Sequence, residues 1–246
     1  MMQFLGVIPA RFASTRFPGK PLVMIGGKTM IQRVYEQCLK AKSLTKVVVA
    51  TDDDRIFQEV KNFGGEAVMT STHHQSGTDR CLDALQQMNL AYDAVVNIQG
   101  DEPFIDPDQI NQLVHLLQTS QAHIATLAFK ITKTEELENP NVVKLVKTNN
   151  DRAIYFSRYP IPFIRSVQRS PLIKNHNFYK HIGIYAYRAD VLQQIACLQP
   201  SSLELAESLE QLRWIENGFS IGVGITEREN IGIDTPDDLK KIQNFF

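Results

Sequence analysis

The first half of the chain alternates continuously apolar runs with segments whose apolar residues recur every three to four positions. Short apolar runs are typical of strands buried on both faces, and the second period is typical of amphipathic helices. The pattern predicts strands at Phe4–Ile8, Lys46–Ala50, Glu66–Met69 and Ala94–Ile98, and helices at Thr29–Lys42 and Thr78–Met88. We therefore expect an α/β fold with a single Rossmann-like, mostly parallel sheet covered by helices on both faces.

Helix-capping residues support this division of the chain. Ser76 or Thr78 is the candidate N-cap of the helix that ends at Met88, and Asp106 precedes a helix that opens with Pro107. Near the end, Thr235 is followed by a proline in the first turn and by Asp238 at the third position. These signals predict where three helices begin.

The second half predicts longer strands and a less regular stretch. The strands are expected at Ile124–Ile131, Val142–Thr148, Ala153–Ser157, Gly183–Tyr187 and Ile221–Ile225. One helix is expected over Ser202–Asn217, with Leu205, Leu209 and Leu212 facing the core. The stretch 158–177 is rich in proline and basic residues and has little periodicity. We expect one domain over residues 1–246 with an inserted arm at about 155–200.

Composition excludes some partners. Lys and Arg number 26 and Asp and Glu number 27, so no basic field would attract nucleic acid or an anionic membrane. The N-terminus opens on a buried strand rather than a signal peptide, and no apolar run approaches the ~18 residues of a membrane span. The three cysteines are far apart, each beside apolar neighbours, which predicts reduced core thiols and a cytoplasmic protein.

The loop after the first strand carries the sharpest chemical signal. Ligands of parallel sheets bind beyond the carboxyl ends of the strands, where this loop lies. It places Arg11, Arg16 and Lys20 within ten residues that include small residues, Gly and Pro. Exposed N–H groups and cations are what a triphosphate requires. The loop is neither a Walker A loop nor a Rossmann fingerprint.

Carboxylates follow at two other loops. Asp101 comes after the strand Ala94–Ile98 and a glycine, and we expect it to bind Mg²⁺ with Glu102 in support. Asp234 lies just before the last helix, where it is a capping residue or a second metal ligand. Two loop carboxylates and three cations are the minimum set for metal-assisted phosphoryl transfer.

Two further groups have weaker patterns. Small polar residues in the segment 73–80 suit a base or a ribose, and its adjacent histidines are poorly spaced for zinc. In the second half, cationic, aromatic and acidic side chains would suit the carboxylate and hydroxyls of a sugar acid, although the pattern also fits an ordinary surface. These side chains are Arg158, His181, Tyr185 and Glu210.

Seven motifs together resemble one family. They are PARFASTRFPGKPL, HHQSGTDR, VNIQGDEP, YFSR, HIGIYAYR, SLEQLR and IDTPDDL, in this order and at these spacings. They resemble the CMP-KDO synthetases (3-deoxy-manno-octulosonate cytidylyltransferases) from Phe4 to about Leu239. The related CMP-sialate synthetases share a similar first loop and metal site, whereas SLEQLR and HIGIYAYR look more like the KDO enzymes.

The resemblance implies a role for each matching residue. The phosphates of CTP would be held by Arg11, Ser14 and Lys20, with Mg²⁺ on Asp101 and Asp234. Gln99 would lie near the ribose or the sugar, and the cytosine would be bordered by the loop 72–77, including Thr72, Ser76 and Gly77. The sugar pocket would be lined by Arg16, Arg158, His181, Tyr185, Glu210 and Gln211. It also implies a homodimer with contacts from residues 158–180.

The expected reaction is in-line attack of the anomeric hydroxyl of KDO on the α-phosphorus of CTP, for lipopolysaccharide biosynthesis. Catalytic roles would fall to Arg11, Arg16, Lys20 and Asp101, and Mg²⁺ would lower the pKa of the attacking hydroxyl. Three alternatives stay open at this point. The first is a nucleotidyltransferase with another acid sugar, such as 8-amino-KDO or sialic acid, or with another base. The others are a regulatory nucleotide-binding module and a glycosyltransferase with a metal motif at Asp52–Asp54.

Overall fold

A computed structural model describes residues 2–13, 17–165, 172–229, 232–233 and 235–243. The strands are β1 (Phe4–Ala10), β2 (Met24–Ile25), β3 (Lys28–Thr29), β4 (Lys46–Thr51), β5 (Ala67–Met69), β6 (Ala94–Asn97), β7 (Ile124–Lys130), β8 (Lys144–Lys147), β9 (Ala153–Ser157), β10 (Tyr179–Arg188) and β11 (Ile221–Thr226). The helices are α1 (Met30–Cys38), α2 (Asp54–Asn62), α3 (Gly77–Gln86), α4 (Pro107–Thr119), α5 (Thr134–Glu138), α6 (Ala189–Ala196), α7 (Ser202–Glu207), α8 (Glu210–Glu216) and α9 (Pro236–Gln243).

One sheet organises this part of the chain, with β11, β7, β10, β6, β1, β4 and β5 in that order and β8 and β9 joined to its side. The neighbours β6, β1, β4 and β5 are all parallel, as are β11 and β7. The α/β fold with a mostly parallel sheet and helices on both faces is confirmed.

Alternate residues of β1 face two different cores. Phe4 and Ile8 pack with α1, α2 and α4, whereas Leu5 and Val7 pack with α3, α6 and α8. All four side chains are fully buried. Burial on both sides explains why this strand is an uninterrupted apolar run rather than an alternating one.

The strand β10 lies between β7 and β6 and runs antiparallel to both. Tyr185 is opposite Asn97, the last residue of β6. The residues of β10 that precede Tyr185 therefore extend past the end of β6, over the sheet edge from which the loop after β6 emerges. A register shift between Ile182 and Tyr185 interrupts the pairing with β7 at this point. The bulge bends β10 where it passes the loops of the parallel strands.

The helix predicted over Ser202–Asn217 is wrong, because the structure contains two helices, α7 and α8. Ser208 between them has φ 52° and ψ 50°, a left-handed conformation that ends α7. The guanidinium of Arg158 donates to the carbonyl oxygens of Glu207 and Ser208, which secures the break. As a result Leu209 and Leu212 are buried as predicted, whereas Leu205 is 69% exposed.

Other expectations need adjustment. Cys38 and Cys81 are buried, but Cys197 is exposed at the end of α6, so it is not a core thiol. The helix α1 ends at Cys38 rather than Lys42, and the turn that follows buries Ala41. The range of about 155–200 expected for an arm also contains β10 and α6, which belong to the main sheet and its helical layer. The arm's part in dimerisation stays a prediction.

The described helices are all too short or too polar to cross a membrane. The candidate caps are in place: Ser76 caps α3, Asp106 caps α4, and Thr235 exchanges hydrogen bonds with Asp238 at the start of α9. A fully buried lysine, Lys144, donates to the carbonyl oxygens of Asn139, Val142 and Arg158. Burial lowers the pKa of this lysine, and these bonds compensate its ammonium.

Candidate active site

A cleft of about 260 Å³ opens at the carboxyl ends of β1 and β6. It is lined by Pro9, Ala10, Arg11, Lys20, Pro21, His74, Gln75, Ser76, Gly77, Arg80, Gln99, Gly100 and Asp101. Because β1 and β6 are parallel neighbours, their loops leave the sheet at the same edge. The first loop and the loop carrying Asp101 therefore meet, as the strand order requires.

Close backbone contact fixes the loop after β6 against the end of β1. A Cβ atom added to Gly100 would lie 2.8 Å from the carbonyl oxygen of Pro9, so a side chain at this position would displace backbone. The glycine between Gln99 and Asp101 thus allows the two loops to touch. This contact sets the position of both polar neighbours.

Lys20 and Asp101 form the charged centre of the cleft. Lys20 Nζ lies 2.6 Å from Asp101 Oδ2, and both side chains are largely buried. Lys20 opens a short 3-10 turn, and Gly19 before it has φ 71°, a left-handed conformation that suits glycine. The structure thus brings together a cation and a carboxylate that are 81 residues apart.

The other predicted phosphate and metal residues are only partly described. Arg11 is exposed and lines the cleft. Ser14, Arg16 and Asp234 lie outside the described residues. The residue before Asp234 is described: the backbone N–H of Ile233 donates to the carbonyl oxygen of Asp101 at 3.0 Å. This bond brings the C-terminal segment to the loop of Asp101.

The amino end of α3 forms another wall. Ser76 Oγ accepts from the N–H of Asp79, and Asp79 Oδ2 accepts from the N–H of Ser76, each at 3.1 Å. This capping box holds Ser76 and Gly77 at the cleft. Thr72 is exposed and is absent from the residues that line the cleft. Of the loop 72–77 that is predicted to border the cytosine, residues 74–77 line the cleft.

Two cleft residues were not singled out by the sequence, His74 and Arg80. His74 Nε2 lies 2.6 Å from Asp83 Oδ2, and the buried Arg80 reaches Asp52 Oδ2 at 2.7 Å. Burial raises the pKa of Asp83, but hydrogen bonds from His74, Gln87 and a backbone N–H outweigh it and lower that pKa. Both residues belong to the segment 73–80. Their partners, Asp83 and Asp52, lie outside that segment, so its local pattern does not predict these contacts.

The triplet Asp52–Asp54 is engaged in local structure. Asp53 caps α2, accepts from the N–H of Arg55 and pairs with its guanidinium at 2.7 Å. Asp52 pairs with Arg80. Among the described residues, no group of three or more His, Cys, Asp or Glu side chains is arranged for a metal. The geometry therefore indicates helix capping and ion pairing for this triplet rather than a metal motif.

Gln99 links the cleft to β10. Its Nε2 donates to the carbonyl oxygen of Gly183 at 2.7 Å, inside the bulge of that strand. Next to the bulge, the His181 ring meets Phe156 edge-on at 5.1 Å and Tyr185 at 5.2 Å. Burial lowers the pKa of His181 to about 3 and raises that of Tyr185 well above its ordinary value, so both side chains are neutral.

The remaining predicted sugar residues have different surroundings. Glu210 accepts from Thr78 Oγ1 at 3.1 Å, and burial raises its pKa. It lines a second cleft that shares Gln75 and Ser76 with the first. Gln211 is buried at 6% exposure. The guanidinium of Arg158 donates to three backbone carbonyls, of Pro140, Glu207 and Ser208. A sugar carboxylate would have to displace some of these bonds to bind Arg158.

The fold and the cleft together define a nucleotide-binding α/β protein, with cations and a carboxylate at the carboxyl ends of parallel strands. Comparison with known proteins identifies the family within this class of nucleotide-binding proteins. A family model described as Cytidylyltransferase matches residues 5–228. A structure of a CMP:2-keto-3-deoxy-manno-octonic acid synthetase complexed with CTP has a TM-score of 0.91 and 42% identity, covering 99% of this chain and 98% of that chain.

Proteins named 3-deoxy-manno-octulosonate cytidylyltransferase are similar over their whole length. The one from Parabacteroides distasonis is 55% identical, with 100% of this chain and 99% of the relative covered. The one from Bacteroides thetaiotaomicron is 56% identical, with 100% and 98% covered. The chain belongs to the family of 3-deoxy-manno-octulosonate cytidylyltransferases. The predicted family and the predicted nucleotidyltransferase activity are thereby confirmed.

Proposed function

We propose that the protein transfers CMP from CTP to 3-deoxy-D-manno-octulosonate (KDO) and releases pyrophosphate, which supplies activated KDO for lipopolysaccharide assembly. The anomeric oxygen of KDO forms a bond to the α-phosphorus, the bond from that phosphorus to the β-phosphate oxygen breaks, and the hydroxyl proton is released. The observation that carries the proposal is the placement of one cleft beside one strand. The ion pair of Lys20 and Asp101 lines the same cleft as Gln99, and Gln99 donates to Gly183 of β10, next to the aromatic cluster of His181 and Tyr185.

The cleft has the chemistry of a triphosphate site. Two cations line the cleft: Arg11 offers a planar guanidinium, and Lys20 offers an ammonium. Without nucleotide, the Lys20 cation is compensated by Asp101 at 2.6 Å. Phosphate oxygens arriving in the cleft compete for this lysine, which frees Asp101 Oδ2. Ser76 and Gly77, at the amino end of α3, present small groups where a base or ribose can approach closely.

Asp101 fits a magnesium site. Mg²⁺ is commonly held by one or two carboxylates together with substrate phosphate oxygens. Asp101 Oδ2 faces a cation already, and the C-terminal segment reaches its loop through Ile233. Asp101 would hold the ion, with Asp234 as the proposed second ligand. Bound there, Mg²⁺ would neutralise charge on the α-phosphate and lower the pKa of the attacking hydroxyl.

The protein's own groups orient the sugar acid. Gln99 is held by Gly183, so it has a fixed position between the nucleotide cleft and β10. His181 and Tyr185 are neutral and their rings pack against each other, so they offer hydrogen bonds without adding charge. Such preorganised groups reduce the cost of ordering the acceptor beside the phosphate. Glu210 and Gln211 would complete the pocket from the start of α8.

We further propose a homodimer. Tyr159 and Phe163 follow β9 and are 77% and 88% exposed, respectively. Large aromatic side chains so exposed, and close together in the chain, are typical of an association surface. A second copy of the chain is the proposed partner.

We place the reaction in the cytoplasm. All three cysteines are free thiols, as in proteins of reducing compartments. The proposed co-substrate, a nucleoside triphosphate, is also used there. Cell fractionation followed by the activity assay tests the location.

Pyrophosphate release with CTP, Mg²⁺ and KDO is the decisive assay. Parallel reactions replace KDO by 8-amino-KDO or sialic acid, and CTP by UTP, ATP or GTP. We expect release with CTP and KDO. Release with another acid sugar alone would keep the cytidylyltransferase chemistry and change the substrate. No release with any pair, from folded protein that binds CTP by calorimetry, would favour a regulatory module.

A further inference from the structure

At the bulge in β10, the backbone carbonyl oxygens of Ile182, Gly183 and Ile184 accept hydrogen bonds from side chains. Gln99 Nε2 donates to Gly183 at 2.7 Å. Thr126 Oγ1, from β7, lies 2.8 Å from the carbonyl oxygen of Ile184 and 3.2 Å from that of Ile182. Thr126 has no exposed surface, so water cannot replace the bonds of its hydroxyl. The same hydroxyl lies 2.9 Å from His181 Nε2.

The single proton of the Thr126 hydroxyl decides how these contacts are arranged. A carbonyl oxygen can only accept, so the hydroxyl must donate to Ile184 or Ile182. If it donated to His181 instead, the hydroxyl oxygen and the carbonyl oxygen of Ile184, 2.8 Å apart, would face each other without a proton between them and repel. The hydroxyl therefore accepts from His181, and the proton of the imidazole lies on Nε2.

The other ring nitrogen is then an acceptor. Burial keeps the imidazole neutral by lowering the pKa of His181 to about 3, so the ring carries one proton. Edge-on packing against Phe156 and contact with Tyr185 fix the ring plane. Within the part of the chain that the structure describes, no donor lies within hydrogen-bonding distance of Nδ1. His181 is half-buried, and its Nδ1 is not one of the fully buried polar atoms that lack a partner, so a ligand can reach it.

We propose that Thr126 is a positioning residue that holds His181 as the Nε2–H tautomer, so that Nδ1 accepts a hydrogen bond from a hydroxyl of the sugar-acid substrate. The assignment of a sugar ligand rests on the proposed function, whereas the tautomer does not. The ligand class follows from the chemistry of a neutral acceptor. It favours a hydroxyl donor and offers nothing to a carboxylate, which would be recognised elsewhere.

The tautomer is measured directly by long-range ¹H–¹⁵N correlation spectra of protein labelled with ¹⁵N-histidine. The chain has six histidines, and a His181→Asn sample identifies the signals of interest. We expect a pyrrole-type shift for Nε2 and a pyridine-type shift for Nδ1 in the wild-type protein without ligand. Thr126→Val, which keeps the shape and removes the hydroxyl, should give a mixture of tautomers, and Thr126→Ser should retain the wild-type pattern.

Either of two spectra would overturn the proposal: a wild-type protein with the proton on Nδ1, or a folded Thr126→Val protein with an unchanged tautomer. If Thr126→Val does not fold, the wild-type and Thr126→Ser spectra still decide the matter. These spectra need no substrate. A failure of the KDO assay with the predicted tautomer in place would therefore count against the proposed function alone.

Kinetics test the link to the substrate. Loss of one well-placed hydrogen bond should raise the KM for the sugar acid in Thr126→Val on the order of tenfold, with the KM for CTP little changed. Thr126→Ser should restore most of the loss. In a His181→Asn background, Thr126→Val should have no further effect, because its action passes through the imidazole. An equal rise in the KM for CTP, or a full effect in that background, would indicate general damage to the bulge and refute the role.

Discussion

The contact between Lys20 and Asp101 brings opposite charges together at 2.6 Å in the cleft that we propose binds the triphosphate. Asp101→Asn keeps the shape and hydrogen-bonding capacity of the side chain but removes its charge. We expect it to lower the rate of pyrophosphate release about 100-fold or more at saturating Mg²⁺ while the fold is retained. The rate is measured with CTP and KDO, and circular dichroism reports the fold.

Asp53→Asn is the matched control. Asparagine caps helices as well as aspartate, and Asp53 pairs with its near neighbour Arg55 at the start of α2. We expect near-normal turnover in this variant. Normal turnover of Asp101→Asn would show that its carboxylate is not a metal ligand. A large loss in Asp53→Asn would instead revive the metal motif considered for Asp52–Asp54.

His181 makes stability depend on pH. Its pKa is lowered by burial to about 3 from 6.5. Between these values the unfolded chain binds a proton that the folded chain does not, so the free energy of unfolding falls as the pH falls through this window. We expect the wild-type melting temperature to drop between about pH 7 and pH 5, and His181→Gln to drop less.

The exposed His73 provides the comparison, because His73→Gln removes an imidazole that lies at the surface. Its melting temperature should follow the wild-type protein over the same pH range. A pH dependence that is identical in wild type and His181→Gln would mean that His181 titrates normally in the folded state.

The sequence predicts the position of some site residues but not of others. Lys20 and Asp101 could be predicted because each follows a recognisable apolar strand, and parallel strands bring such loops to one edge. Thr126 and Arg80 could not. Thr126 lies inside a strand pattern and meets His181 only through the pairing of β7 with β10. Arg80 occupies a helix position typical of a solvent-exposed charge, and its partner Asp52 is 28 residues away.

At the scale of elements, the break between α7 and α8 decides which leucines support the core. We expect Leu212→Ala, at a site with no exposure, to lower the free energy of unfolding by about 2–5 kcal/mol. Leu205→Ala, at a site 69% exposed, should change it by less than about 0.5 kcal/mol. Urea unfolding of the two variants gives both values. A similar loss in both would restore the single amphipathic helix expected from the sequence.

The reason for this break is not local. Residues 202–217 keep a helical spacing of leucines throughout, which is why the pattern predicts one helix. The break depends on the guanidinium of Arg158, 50 residues away from Ser208 in the sequence. Glu207 adds to this by accepting from Ser157 Oγ and from the N–H of Arg158. Such contacts override local propensity and place Glu210 beside Thr78.

At the scale of the whole molecule, the order of apolar runs predicts the parallel half of the sheet. The predicted β1, β4 and β6 are correct in type and start, and their ends lie within two residues of the observed ones. The direction of β10 could not be predicted, since a strand's own pattern is the same in either direction. Its antiparallel insertion carries Gly183 and His181 past the end of β6. The proposed nucleotide cleft and the proposed sugar pocket are adjacent for this reason.

Association of two copies is the remaining prediction at this scale. Tyr159 and Phe163 are 77% and 88% exposed, and burial of a phenylalanine stabilises an interface by about 1.5–3 kcal/mol. We expect light scattering after size exclusion to give a dimer mass for the wild-type protein. The pair of substitutions Tyr159→Ser and Phe163→Ser should give a monomer with an unchanged circular dichroism spectrum, because neither ring supports the core of its own chain.

Leu90 is the matched control, since it is 65% exposed but lies in the loop after α3 rather than after β9. Leu90→Ser should remain a dimer. A wild-type monomer at micromolar concentration would refute the homodimer. A dimer that persists in the double variant would place the interface on another surface. Measurements on the isolated monomer then separate assembly from function. The cleft and the rings around His181 are formed by residues of one chain. A folded monomer should therefore still bind CTP with the wild-type affinity.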